Sequence, residues 1–184
     1  MVLGVAWDRI AVVSYDPDWP MAYQAECERI LRAVGGARFI LEHVGSTSVP
    51  ALAAKPIIDI MIGLDTLEHA ALLLHPLQGL GYEYMSELET VMPERRFLRR
   101  IQSGKRTHHI HMVAWDSDFW KRHLAFREFL RAHPEQAQTY GRLKLALASA
   151  YPDAPEAYMD GKSPLINKLE TIALAWFKQP ADRG

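Results

Sequence analysis

The run His108-His109-Ile110-His111 sets two imidazoles, His109 and His111, two residues apart. On a β-strand that spacing points both side chains to one face and His108 to the other. Such a pair can ligate a metal or exchange protons near neutral pH. Two histidines satisfied on a half-exposed sheet would show the same spacing. Asp59 is the acid within Pro-Ile-Ile-Asp-Ile-Met-Ile-Gly-Leu, 56–64, the most apolar short run of the chain. A carboxylate is costly to bury there without a partner. It either serves a site or pairs with Lys55, an arginine or a backbone amide. Upstream stands Gly45-Ser46-Thr47, with twelve residues between Ser46 and Asp59. A glycine turn with exposed amides and a hydroxyl, opening a helix, suits a phosphate. A carboxylate on the following strand can then hold a divalent cation against the same phosphates.

Cations are available to such a ligand. Residues 94–106 carry Arg95, Arg96, Arg99, Arg100, Lys105 and Arg106 against Glu94, a net +5. Strand alternation puts Arg95 and Arg99 on one face and Arg96 and Arg100 on the other, so one pair can line a cleft. Guanidinium groups suit bidentate phosphate contacts, although a solvated hairpin accounts for at least half of them. Tyr140 and Lys144, and again Tyr158 and Lys162, are four residues apart, one helical turn. Lys144 and Lys162 are candidate phosphate contacts; a lysine stem laid over a tyrosine explains the spacing as well. Lys55, four residues before Asp59, is equally open.

These groups need elements to position them. The pattern predicts strands over 9–14, 39–44, 56–64 and 82–85. A hairpin follows, over 94–102 and 108–115, turning through 103–106. Helices are expected over 20–34, stopped by Gly35-Gly36, and over 66–79. After Trp115 the pattern is helical only. One helix runs from an Asp118 cap to Ala132 and another from Pro134 to about Ala150. The breaker 151–155 follows, and then a last helix capped by Ser163 with Pro164 in its first turn. The expected fold is α+β: residues 1–116 form a mixed or antiparallel sheet with flanking helices, and 117–184 a helical extension packed on it as one compact unit.

Three blocks, His43 to Leu64, His108 to Val113 and His123 to Glu135, resemble the GrpB family, in order and over nearly the whole chain. That family is similar in fold to the nucleotidyltransferases related to polymerase β. The resemblance implies a nucleotidyltransferase-like sheet, a cleft for a nucleotide or other phosphorylated small molecule, and a transferase. Gly45, Ser46 and Asp59 match the superfamily's Gly-Ser turn and first acid. The second acid falls on Met61 and the third on the strand of His109 and His111. Two-metal phosphoryl transfer needs several carboxylates. One carboxylate and two imidazoles suit a single softer divalent metal on Asp59, His109 and His111, or none. A cleft that binds without catalysis, and a single-metal hydrolase, are the alternatives. Relatives fused to a coenzyme A biosynthetic kinase and to acetyltransferase-like domains suggest coenzyme or nucleotide metabolism.

The 184 residues are 49% hydrophobic and 23% charged, with a formal net charge of -1. This is a globular composition. It argues against a duplex nucleic-acid binder, which carries a clear basic excess. A single cysteine, Cys27, excludes a disulfide framework or cysteine-based zinc site within one chain. The first seventeen residues lack the pattern of a signal peptide, and no run reaches the ~18 apolar residues of a spanning helix. No membrane partner and a cytoplasmic location are expected.

Overall fold

In the computed structural model, residues 3–6 and 9–178 are described. The leader-peptide reading falls partly outside them, and so do the outermost ends of the two expected regions. The architecture is α+β with a mixed sheet. Its strands are β1 (Val5–Ala6), β2 (Ile40–Val44), β3 (Ile58–Leu64), β4 (Tyr82–Tyr84), β5 (Arg96–Gln102) and β6 (Lys105–Ala114). Strand order is β2-β3-β6-β5-β4, with β1 paired to β6. The β3–β6 pair is parallel, with Asp59 beside His109 and Met61 beside His111. The other pairs are antiparallel. Among the described residues the α-helices, numbered in chain order, are α1 (Trp19–Val34), α2 (Ala70–Gly79), α3 (Asp118–Ala132), α4 (Pro134–Ala150) and α5 (Pro155–Phe177).

Both faces of the sheet are covered, which is why β3 reads as a continuous apolar run. On one face Ile58, Ile60, Ile62, Leu98, Ile110 and Met112 pack with Trp19 and Ile30 of α1 and Leu73 and Leu77 of α2. On the other, Val44, Met61 and Val113 lie beneath Phe119 and Trp120 of α3. A further cluster joins Val49 and Leu52 to Phe129, Leu130, Tyr140, Leu169 and Ala173. The helices therefore stand over the face that carries Asp59, His109 and His111, and wall it on one side. No helix among the described residues is long and apolar enough to cross a membrane.

Several expected boundaries are corrected. The 9–14 segment is not a strand; Val13 makes an isolated bridge to Ala54, with backbone N–O distances of 2.9 Å in both directions. The β5–β6 hairpin turns on two residues, not four. Ser103 and Gly104 both have positive φ, 49° and 75°, the signature of a type I′ turn that matches strand twist. Ser117, not Asp118, caps α3, its hydroxyl accepting from the Trp120 amide at 3.2 Å. The segment 66–79 begins with a 3-10 turn, Leu67–His69, before α2. The last helix starts at Pro155 and runs through Pro164. An interior proline removes one helical bond and costs roughly 3 kcal/mol. The buried stripe of Tyr158, Leu169 and Ala173 offsets this by holding both halves of α5 to the body of the protein.

Candidate functional site

Gly45 ends β2 with φ 71° and ψ -174°, a conformation that side chains resist. A Cβ there would also run into the Asp59 side chain, 3.1 Å from both its Cβ and its Cγ. The turn is thus shaped to let the chain pass directly against the carboxylate. It opens a three-residue 3-10 turn, Ser46–Ser48, and not the helix expected there. Pro50 is the reason: it forces Val49 into extended backbone, φ -106° and ψ 116°. The turn is fixed from behind. Thr47 Oγ1 donates to the Ile57 carbonyl at 3.1 Å and lies 3.1 Å from His43 Nε2. Ser48 Oγ donates to the Gly45 carbonyl at 2.6 Å, and Arg131 donates to the Ser48 carbonyl at 2.8 Å. Burial holds His43 neutral, its pKa lowered to about 4.

Register brings Asp59, His109 and His111 together. His109 Nδ1 is 3.0 Å and His111 Nε2 3.7 Å from Asp59 Oδ1. Burial alone would raise the Asp59 pKa; hydrogen bonds from the two imidazoles outweigh it and hold the carboxyl well below the usual carboxylate range. His109 donates to Asp59 through Nδ1–H, and His109 also lines the cavity beside Asp59. His111 is committed on both nitrogens. Arg95 Nη1, a group that can only donate, lies 2.9 Å from His111 Nδ1. His111 therefore carries its proton on Nε2, toward Asp59. Burial lowers its pKa, against the pull of Asp59. His108 faces the opposite side of the sheet, 2.9 Å from Arg100 Nη2.

A cavity of about 210 Å³ opens beside Asp59, and Lys55, Lys144 and Lys162 all line it together with Ser46, Thr47 and His109. Lys144 Nζ donates to Ser46 Oγ at 2.8 Å and stands 4.3 Å from the centre of the Tyr140 ring. Lys55 and Lys162 share the Tyr158 ring, at 4.4 and 5.1 Å. These cation–π contacts hold three ammonium groups around one space. The Tyr158–Lys162 turn lies inside α5, so the continuity of that helix through Pro164 is what aims Lys162. Burial depresses all three lysines. Lys55 is lowered to about 8, helped by the charges of Lys162 and Arg106. Lys144 lies well below its ordinary value and Lys162 is lowered as well. Among the described lining residues Asp59 is the only carboxylate.

The two arginines expected near the site part company. Arg95 precedes β5 yet reaches His111. Arg99 sits beside His109 in register, but its Nε donates to Glu83 on β4 at 2.8 Å, away from the lysine cavity. Met61 is fully buried, 0% exposed, beneath Phe119 and Trp120. The position of a second acid is thus part of the core. Sequence reasoning passed over His123 and Arg122 on α3. His123 lies 6.3 Å from His111, ring to ring, and stacks on Phe119. Burial keeps it neutral, lowered to about 3. The only signal was its place at the head of a block that resembled a family.

Comparison with known proteins agrees with this architecture. Residues 9–171 match the family described as GrpB protein. UPF0157 protein PA4798 of Pseudomonas aeruginosa is 39% identical over 176 residues, 94% of this chain and 71% of that protein. UPF0157 protein YqkA of Bacillus subtilis is 35% identical over 170 residues, 92% of this chain and 49% of that protein, so the chain spans about half its length. The crystal structure of conserved protein GrpB from Enterococcus faecalis superposes with a TM-score of 0.84 at 40% identity, covering 92% of this chain and 100% of that one. The chain belongs to the GrpB family.

Proposed function

We propose that this protein binds the phosphates of a nucleotide, or of another phosphorylated small molecule, in the lysine cavity, and that it is a transferase acting at phosphorus. The observation that carries the reading is the arrangement of three lysines, Lys144 buried and Lys55 and Lys162 partly buried, and a Gly-Ser turn around one space with a single carboxylate among the described lining residues. A polyanion suits that imbalance of charge. With Nδ1–H given to Asp59, Nε2 is the His109 nitrogen left to act, the logic of a carboxylate–imidazole pair in which the imidazole is the base. In the reaction this suits, an acceptor hydroxyl gives its proton to His109 Nε2 as its oxygen joins phosphorus and the phosphate leaving group departs. A divalent metal is the alternative use of the cluster. The candidate ligand atoms of Asp59, His109 and His111 lie within 4.8 Å of one another, and two imidazoles with one carboxylate suit Zn²⁺ or Mn²⁺ better than Mg²⁺. A metal would supply Lewis-acid polarisation of a phosphoryl oxygen. Arg95 would first have to release His111 Nδ1, because both imidazole nitrogens cannot accept at once without forming imidazolate.

Calorimetric titration with ATP, GTP, CTP, UTP, coenzyme A and inorganic triphosphate in the presence of chelator tests the binding. At least one is expected to bind with 1:1 stoichiometry, since the lysines neutralise charge without a cation. A bound polyanion raises depressed lysine pKa values, so binding takes up protons and weakens as pH rises through about 8, where free Lys55 deprotonates. The loss approaches about tenfold per pH unit for each coupled proton. Titrations at pH 8 in buffers of different ionisation enthalpy read the uptake directly. Failure of every probe to bind, with and without Zn²⁺ or Mn²⁺, would overturn the reading. A binding module without turnover is the second reading, favoured by Met61. Radiolabelled nucleotide separates the two: label reaching an acceptor, and lost in His109→Gln while binding stays within about threefold, supports transfer.

A further inference from the structure

Lys144 of α4 reaches the Gly45–Ser46 bend at the end of β2. Its Nζ lies 2.8 Å from Ser46 Oγ and 4.3 Å from the centre of the Tyr140 ring. Both residues line the cavity beside Asp59; Lys144 is buried and Ser46 half-buried. Tyr140 of the same helix, Tyr158 and Lys162 of α5, and Lys55, Asp59 and His109 line that cavity too. Asp59, the only carboxylate among the described lining residues, is held by His109 and His111. Burial, with the charge of Lys162 beside it, therefore favours the amine of Lys144 over the ammonium. An ammonium only donates. An amine also carries a lone pair, and the Ser46 hydroxyl is the donor within its reach. The Tyr140 ring receives an N–H in either form. Ser46 itself follows directly on a strand, at a tight bend set by Gly45 with φ 71°. A serine at a sharp bend after a strand has the placement of the nucleophile in an elbow motif.

We infer that Ser46 is a nucleophile and Lys144 its general base, a serine–lysine dyad at the wall of the lysine cavity, and that Ser46 takes a phosphoryl group from an activated phosphate donor. Ser46 Oγ joins phosphorus as the bond from phosphorus to the donor's leaving group breaks. The leaving group keeps the electron pair, and the Oγ proton passes to Lys144 Nζ. Lys144 thus becomes an ammonium as the phosphoryl group arrives, and with Lys55 and Lys162 it stabilises the anion. An acceptor hydroxyl completes the transfer. Its oxygen joins phosphorus, its proton goes to His109, and Ser46 Oγ leaves and recovers its proton from Nζ. The transfer proposed above is thereby divided into two displacements through a phosphoserine. That phosphorus is the electrophile rests on the phosphate reading; the dyad itself does not.

Dimethyl fluorophosphate is a small uncharged phosphorus electrophile, so its reaction needs the dyad and no anion site. The full chain is expected to release fluoride and to carry one dimethylphosphoryl group on Ser46, located by mass spectrometry of a digest. The urea-unfolded chain should not be labelled there, and Ser46→Ala should lose the label. As Nζ loses its proton the labelling rate should rise with pH, then level off well below the ordinary lysine pKa. Lys144→Arg keeps a cation and N–H donors beside Oγ but cannot accept a proton. It should slow labelling about 100-fold or more, and Lys144→Met likewise. A lysine that only holds Ser46 in place would give labelling within about threefold in Lys144→Arg. Thermal melts of the variants show whether the fold is retained, and the position of the label in the unsubstituted chain tests the dyad without them. No label on Ser46, label on Lys144 instead, a rate that climbs with pH without levelling, or unchanged labelling in both Lys144 variants would each overturn the inference. Triphosphate binding without labelling refutes the dyad and leaves the phosphate reading; labelling without triphosphate binding does the reverse.

Discussion

Lys144→Met is expected to stabilise the protein while removing most of its affinity for triphosphate. Lys144 is 2% exposed, and its side-chain hydrogen bond among the described residues is the donation to Ser46 Oγ at 2.8 Å. No carboxylate among the described residues pairs with it. Burial depresses its pKa well below the ordinary value, helped by the charge of Lys162. Folding therefore either desolvates an ammonium or strips its proton, and both cost free energy. Methionine has similar length and no such cost. Replacing a buried charge by a packed apolar group is worth about 1–3 kcal/mol in the favourable direction, less the one hydrogen bond lost. The same change deletes a charge-assisted contact to phosphate, a loss of roughly 10- to 100-fold in affinity. Urea melts and calorimetry read the two quantities. A lysine kept for packing would give the reverse, a less stable protein with unchanged binding.

The largest loss of stability is expected on the other face of the sheet. Glu26 of α1 is 3% exposed and Arg100 of β5 is 5% exposed. Arg100 Nη1 lies 2.7 and 2.8 Å from the two Glu26 oxygens. The Tyr82 hydroxyl donates to Oε1 at 3.0 Å and Arg29 to Oε2 at 2.7 Å. Arg100 Nη2 also reaches His108, which burial keeps neutral with its pKa lowered to about 4. Glu26→Ala leaves the Arg100 guanidinium in a low-dielectric interior with no counter-charge. Breaking a buried pair in this way costs about 3–5 kcal/mol, a large share of the total stability of a domain. The double variant Glu26→Leu with Arg100→Leu is expected to recover most of it, since neither charge is then stranded. Denaturant melts of both variants test this; a loss below about 1 kcal/mol for Glu26→Ala would show that the pair contributes little.

Much of the site could be read along the chain because strand alternation has period two. It put His109 and His111 on one face with His108 opposite, and Asp59 on the same side of its own strand as Met61. The Gly45-Ser46 turn stood out for the same local reason. The contacts across the fold were not legible. Nothing in the alternation says that β3 and β6 pair in parallel with Asp59 beside His109, or that Glu26 meets Arg100 across 74 residues. Arg95 was placed by alternation with Arg99, yet it lies before the strand, and its partner is set by how the chain enters β5. Arg99 is taken by Glu83, a partner decided by the β4–β5 register. At the helices, tertiary packing overrode local signals. Pro164 reads as a helix start, but burial of Tyr158 and Leu169 on one continuous stripe carries α5 through it. That continuity places Lys162, inside α5, at the cavity.

The central claim is that the space enclosed by Ser46, Lys55, Lys144 and Lys162 is a phosphate site. Tungstate, a tetrahedral dianion with strong anomalous scattering, reports it most directly when soaked into crystals of the protein. The account predicts a leading anomalous peak within hydrogen-bond reach of Lys144 Nζ and Ser46 Oγ, absent in Lys144→Met crystals. A map with no peak there and tungstate bound instead at Arg95 or Arg122 would contradict it.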